Sequence, residues 1–214
     1  MGLSLNAACG FRTGGNRYGA RKIKSSIQLS FEEYVDVWEN LAGEFFQRCI
    51  SDDKFFDMLM FSEEMSARFS IELATVILII AMLCWNEKQI NDKIQNKVTE
   101  AVIQSFYEHL IPGAKKDMIK ECVDFYHSKY SIFSEIFKSM DSESKEKRKT
   151  RSIGFARYLI AQVSPDDEQN NPKVIEHLSI RLSEAESAFA RLAENSSLDV
   201  ISVPGRPKFI VHQV

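Results

Sequence analysis

The sequence lacks the residue patterns that mark several classes of protein. Its four cysteines, Cys9, Cys49, Cys84 and Cys122, form no CxxC pair, and they are not spaced with the four histidines as zinc ligands are. This argues against a zinc-binding or dithiol redox chain. The last three cysteines each lie among apolar residues, which predicts buried, reduced thiols. Because no secretory signal is recognisable, we expect a cytoplasmic protein.

The chain also lacks an excess of one charge. It has 27 basic and 30 acidic residues, which gives a net charge of -3. A strongly basic chain would favour nucleic acid as a partner, and this composition does not. Residues 1–26 are an exception, because they hold five basic residues and no acidic one. Since five of the nine glycines fall in the first nineteen positions, we interpret residues 1–29 as a flexible basic arm.

A membrane-length apolar run is missing as well. The most apolar stretch, Leu73 to Trp85, has thirteen residues, and as a helix it measures roughly 20 Å. The hydrocarbon core of a bilayer is about 30 Å thick, and charged residues at Glu72 and Glu87 bound the run. A helix that is apolar on all sides and too short to span predicts the centre of a protein core. We therefore expect no membrane span.

Most of the remaining chain shows the period of amphipathic helices. Ser30 and Glu33 form a capping box, which predicts a helix over residues 30–50 with Glu39 on its water-facing side. Ser62 is the predicted N-cap of the central helix, which ends near Asn86. Further helices are predicted over residues 55–61, 90–109, 114–140 and 153–163, with a last helix that begins at Pro172.

These patterns predict a mainly α fold, a bundle of six to seven helices around one central apolar helix. The helical domain covers residues 30–195. Residues 141–150 contain no apolar side chain, and we predict a loop or hinge there. Residues 196–214 include two β-branched and aromatic runs separated by Pro204-Gly205-Arg206-Pro207, which predicts a C-terminal β-hairpin. A lone hairpin is marginally stable, so this tail docks on the bundle or pairs with a strand of a partner protein.

One weak pattern for a metal centre is present. Carboxylate-bridged metal sites in helical bundles combine single glutamates with acid-x-x-His pairs. Asp124 and His127 have that spacing, and Glu72 lies on an apolar helical stripe, so these three residues are the candidate metal ligands. The alternative is a solvated Asp124–His127 pair and a Glu72 that forms an ion pair with Arg68, one turn earlier. No other cofactor site is indicated.

The last predicted helix carries apolar residues at alternating intervals of three and four, from Ile175 to Leu192. This seam packs either on the bundle or on a second copy of the chain. With the strand-forming tail, it favours a non-enzymatic helical interaction protein that forms a homodimer and binds a protein partner. One alternative is an intracellular enzyme with a carboxylate–histidine metal site at Glu72, Asp124 and His127. The other is a receptor for a small apolar ligand, held between helices.

Overall fold

The protein is mainly α. A computed structural model describes residues 26–51, 62–87, 92–138, 145–163, 172–199 and 207–212. Within these ranges it has six helices: α1 (Phe31–Ile50), α2 (Glu63–Asn86), α3 (Asp92–Leu110), α4 (Lys116–Lys138), α5 (Lys145–Val163) and α6 (Pro172–Glu194). Three short strands accompany them: β1 (Ser26–Leu29), β2 (Ser196–Leu198) and β3 (Phe209–His212).

Local side chains set the starts of the first two helices, as predicted. The Ser30 hydroxyl accepts the backbone N–H of Glu33 at 3.2 Å, and the Glu33 carboxylate accepts the backbone N–H of Ser30 at 2.8 Å. The Ser62 hydroxyl accepts the backbone N–H of Met65 at 3.2 Å. Both hydroxyls therefore satisfy amide groups that have no partner inside the helix. The turn between α3 and α4 places Gly113 at a φ of 79°, a conformation that favours glycine.

Helix α2 occupies the centre of the bundle, which confirms the prediction for Leu73 to Trp85. Every residue of that stretch is buried. All five other described helices contact α2, and α1, α3, α4, α5 and α6 close a ring around it, each packing on the next. Among the helices that the structure describes, α2 alone is long and apolar enough to cross a membrane, and 78% of its most apolar window is buried. The absence of a membrane span stays a prediction.

The apolar seam of α6 packs within the chain. Ile175, Leu178, Leu182, Ala185 and Phe189 are all buried, and α6 contacts α1, α2 and α5. Of the two partners expected for this seam, the bundle is the one observed.

The strands form a small antiparallel sheet in the order β1-β3-β2. The pairing of β2 with β3 sets Ser196 against Val211 and Leu198 against Phe209. The aromatic ring of Phe209 is fully buried and stacks on Tyr34 of α1 at 4.0 Å, which fixes the sheet to the bundle. The C-terminal strands therefore dock on the body, although β2 begins earlier than the predicted first run, and residues 200–206 lie outside the described residues.

Two segments differ from the predictions. Residues 26–29, which we assigned to the basic arm, form the edge strand β1 against β3, a pairing across the whole chain that no local pattern reveals. Helix α5 begins at Lys145, inside the predicted loop 141–150, because lysine, glutamate and arginine are good helix formers even where no side chain is apolar. Residues 1–25, 52–61 and 139–144, including the predicted short helix over 55–61, lie outside the described residues.

Candidate functional site

The three predicted metal ligands do not form a metal centre in the described part of the chain. Glu72 is buried in α2, whereas Asp124 and His127 are exposed on α4. Within the described ranges, no group of three histidine, cysteine, aspartate or glutamate side chains is placed to hold a metal ion. The geometry gives the metal-enzyme hypothesis no support.

The partner of Glu72 is a different residue from the one predicted. Its carboxylate lies 3.4 Å from the ammonium group of Lys129 in α4, and Arg68 is exposed. Lys129 also donates hydrogen bonds to the Tyr158 hydroxyl at 3.0 Å and to the Gln162 side-chain oxygen at 3.3 Å, both in α5. Lys129 thus combines one ion pair to α2 with two hydrogen bonds to α5. Lys129 therefore ties α2, α4 and α5 together.

Two buried tyrosines, Tyr107 in α3 and Tyr126 in α4, lie in the same part of the core. The hydroxyls of Tyr107 in α3 and Thr75 in α2 lie 2.8 Å apart. Burial raises the pKa of Tyr107 well above its ordinary value, and the nearby charge of Glu72 acts in the same direction. Burial also raises the pKa of Tyr126. These phenols are therefore neutral at physiological pH, and they serve as hydrogen-bonding and packing groups and not as bases.

A carboxylate–histidine pair lies in a second place, between α1 and α3. The Nδ1 atom of His109 is 2.6 Å from a carboxylate oxygen of Glu39 and 3.1 Å from the backbone oxygen of Ser105. Both neighbours of Nδ1 are acceptors, so the proton of a neutral imidazole is on Nδ1, and Nε2 carries the lone pair. The Ser105 hydroxyl donates to the other oxygen of Glu39 at 2.5 Å, which holds the carboxylate in place.

This pair borders an open cleft of about 320 Å³. The His109 side chain is 74% exposed, whereas that of Glu39 is 11% exposed. Phe46, Phe106 and Leu110 supply apolar lining. The arrangement differs from a serine-hydrolase triad, because the Ser105 hydroxyl donates to the carboxylate and not to the imidazole. It presents a single basic nitrogen to the solvent.

Sequence reasoning missed this pair. We predicted Glu39 on the water-facing side of α1, yet it is among the buried residues of that helix. The helical period alone cannot show that α3 packs over the margin of the α1 apolar face. The one available signal was Glu39 itself, a charged residue beside the apolar stripe that contains Trp38 and Ala42.

Another cleft, of about 580 Å³, lies between the end of α3 and the start of α4. Four apolar residues form its floor: Ile111, Ala114, Ile119 and Val123. Four exposed polar residues form its rim: Gln104 and Glu108 from α3, and Lys116 and Lys120 from α4. An apolar floor with a few polar groups at the edge is typical of binding sites.

The charges on the two sides of this rim differ in their surroundings. Glu108 accepts a hydrogen bond of 2.9 Å from the Gln104 amide on its own helix. Lys116 and Lys120 have no ion-pair partner among the described residues. The α4 side of the cleft therefore carries two positive charges, and the α3 side carries one negative charge.

No protein-family model, curated protein or solved structure matches the chain.

Proposed function

We propose that the protein is a non-enzymatic helical interaction protein that binds a polypeptide partner in the α3–α4 cleft. The observation that carries this proposal is the apolar floor, set below an exposed polar rim. Its volume of about 580 Å³ lies within the usual range of binding sites. Because all four rim residues are exposed, one side of a molecule bound in the cleft stays in contact with water. This arrangement suits a segment of polypeptide better than a small molecule that needs to be enclosed.

Self-association remains a further prediction, and the seam of α6 no longer supports it. That seam is buried within the bundle, so a homodimer would use another surface. Light scattering over a range of protein concentrations measures this directly, and a constant mass of one chain would contradict the homodimer.

The cleft proposal is tested with a display library of random peptides selected against the full chain. We expect selected peptides to shift the NMR methyl signals of Ile111, Ile119 and Val123, while the buried Ile160 on α5 stays unchanged. The variant Ala114→Trp fills the cleft without removing a core side chain, and we expect it to abolish binding. A selection without binders, or binders whose shifts lie elsewhere, would contradict the proposal.

A second candidate function is an enzyme in which His109 acts as a general base. The geometry of Nδ1 with Glu39 supports it, because the carboxylate orients the ring and stabilises the imidazolium that forms when Nε2 takes a proton. Hydrolysis of activated acyl esters is the reaction class, with Nε2 removing a proton from the attacking water.

This second candidate is tested with a panel of nitrophenyl esters. We expect His109→Gln to abolish hydrolysis and Glu39→Gln to reduce it, while His127→Gln, an exposed histidine on α4, leaves it unchanged. Hydrolysis by the wild-type protein that equals that of His109→Gln would eliminate this candidate.

A further inference from the structure

The rim of the α3–α4 cleft is asymmetric in charge, and this asymmetry indicates which side chains a partner would carry. Glu108 accepts a hydrogen bond from the neutral Gln104 amide, so the α3 side keeps one negative charge. Lys116 and Lys120 border the same cleft from α4 without a described ion-pair partner. Two positive charges against one negative charge give the rim a net positive charge, and both positive charges lie on α4.

The spacing of the two lysines adds a geometric condition. Lys116 is the first residue of α4 and Lys120 lies four residues later, so both are on one face, about 6 Å apart at Cβ. A second helix lying along the cleft presents residues four apart with the same spacing. Two carboxylates one turn apart on such a helix would meet both ammonium groups at once.

The floor of the cleft determines which other side chains a partner helix needs. Its four residues are aliphatic: Ile111, Ala114, Ile119 and Val123. Aliphatic side chains on the adjacent stripe of a partner helix would fill this floor, since binding of an amphipathic helix in a groove relies on anchors at i, i+3 and i+4.

We propose that the partner segment is an amphipathic helix with two acidic residues one turn apart that pair with Lys116 and Lys120, and with aliphatic anchors that seat on the cleft floor. This inference rests on the proposed function, since it names the chemistry of the polypeptide that the cleft binds. The lysines steer and orient the helix, and the floor supplies most of its buried area.

The probe is a helical peptide library with a constant leucine-bearing stripe, in which two positions one turn apart are varied among glutamate, glutamine and lysine. We expect the peptide with two glutamates to bind the full chain best. The double variant Lys116→Glu/Lys120→Glu is expected to weaken it about tenfold in Kd. The same variant should bind the peptide with two lysines better than wild type does. The matched control, Arg157→Glu/Lys173→Glu, makes the same charge change on α5 and α6 and should leave affinity unchanged.

The results distinguish the acidic-helix inference from the cleft proposal on which it rests. Peptides that shift the floor methyl signals equally well with glutamate, glutamine or lysine overturn the acidic-helix inference and leave the cleft function in place. A library without any binder overturns both. Dodecanoate, a carboxylate with an aliphatic chain, tests the small-molecule alternative. If it binds in the cleft through the lysines and the helical peptides do not, the partner is a small amphiphile and this inference is wrong.

Discussion

Replacing Arg151 with methionine gives the sharpest test of how the helices are held together. The side chains of Arg151 in α5 and Glu186 in α6 form an ion pair, and each is only 2% exposed. Arg151 also donates to the backbone oxygen of Phe137 at 3.3 Å and lies over its ring, 3.9 Å from the centroid. The substitution keeps an aliphatic chain of similar length, so it removes the charge and the hydrogen bonds more than the volume.

The expected loss is large because the Glu186 carboxylate stays in the interior without that cation. Breaking a buried pair costs about 3–5 kcal/mol of the free energy of unfolding. With an m-value of about 3 kcal/mol/M in urea, the unfolding midpoint falls by about 1–1.7 M. The fluorescence of Trp38 and Trp85, both fully buried, follows the transition.

A double variant separates charge from packing. We expect Arg151→Met/Glu186→Leu to lie within about 1 kcal/mol of wild type or above it, because both charges leave the interior together. A midpoint for the single variant within about 0.3 M of wild type would refute the reasoning, since that is under about 1 kcal/mol. A double variant as unstable as the single one would show that lost packing, and not an isolated charge, causes the effect.

Three further predictions concern the core, the tyrosines and a helix cap. Ile77→Ala in α2 should lower the free energy of unfolding in urea by about 2–5 kcal/mol. The control Ile180→Ala, at a residue that is 50% exposed on α6, should change it by under about 0.5 kcal/mol. Equal effects of the two variants would contradict the central position of α2. Burial raises the pKa of Tyr34 to about 12, above its unfolded value of about 10, so the stability it contributes is complete below pH 10 and lost as pH rises towards 12. A Tyr34→Phe difference spectrum that shows phenolate near pH 10 in folded protein would oppose this. Ser30→Ala should cost about 1 kcal/mol of unfolding free energy, and Ser128→Ala, an exposed mid-helix control, should be near neutral in the same assay.

The core of the fold was predictable because its signals are local. Two helix starts are marked by side chains that act over a distance of three residues. Ser30 pairs with Glu33, and Ser62 precedes two glutamates. The thirteen uncharged residues of α2 require cover on every side, and that requirement predicts the bundle. The start of α5 was missed because a charged segment without apolar residues forms an exposed helical turn as readily as a loop. Strand β1 was missed because its partner, β3, lies at the other end of the chain.

The sites were much less predictable, because each pair of side chains comes from different helices. Arg68 was the expected partner of Glu72 since it is one turn away, but the bundle supplies Lys129 from α4 instead. The Glu39–His109 pair depends on how closely α3 packs on α1, which a helical period does not encode. Asp124 and His127 have a spacing that suits a metal, yet both face outwards. The spacing of two residues along one helix places them on the same face. The packing of the bundle then determines whether that face contacts another helix or water.

The position of α2 in the chain has a consequence for its synthesis. Of the five described helices that enclose it, one, α1, precedes it, and the other four follow it in the chain. Synthesis of the chain from Asn86 to Glu194, the end of α6, takes about ten seconds at ordinary rates of translation. During that interval the most apolar segment of the nascent chain is accessible to chaperones and targeting factors at the exit tunnel. We expect a factor that holds α2 until α6 has emerged to reduce aggregation of the nascent chain.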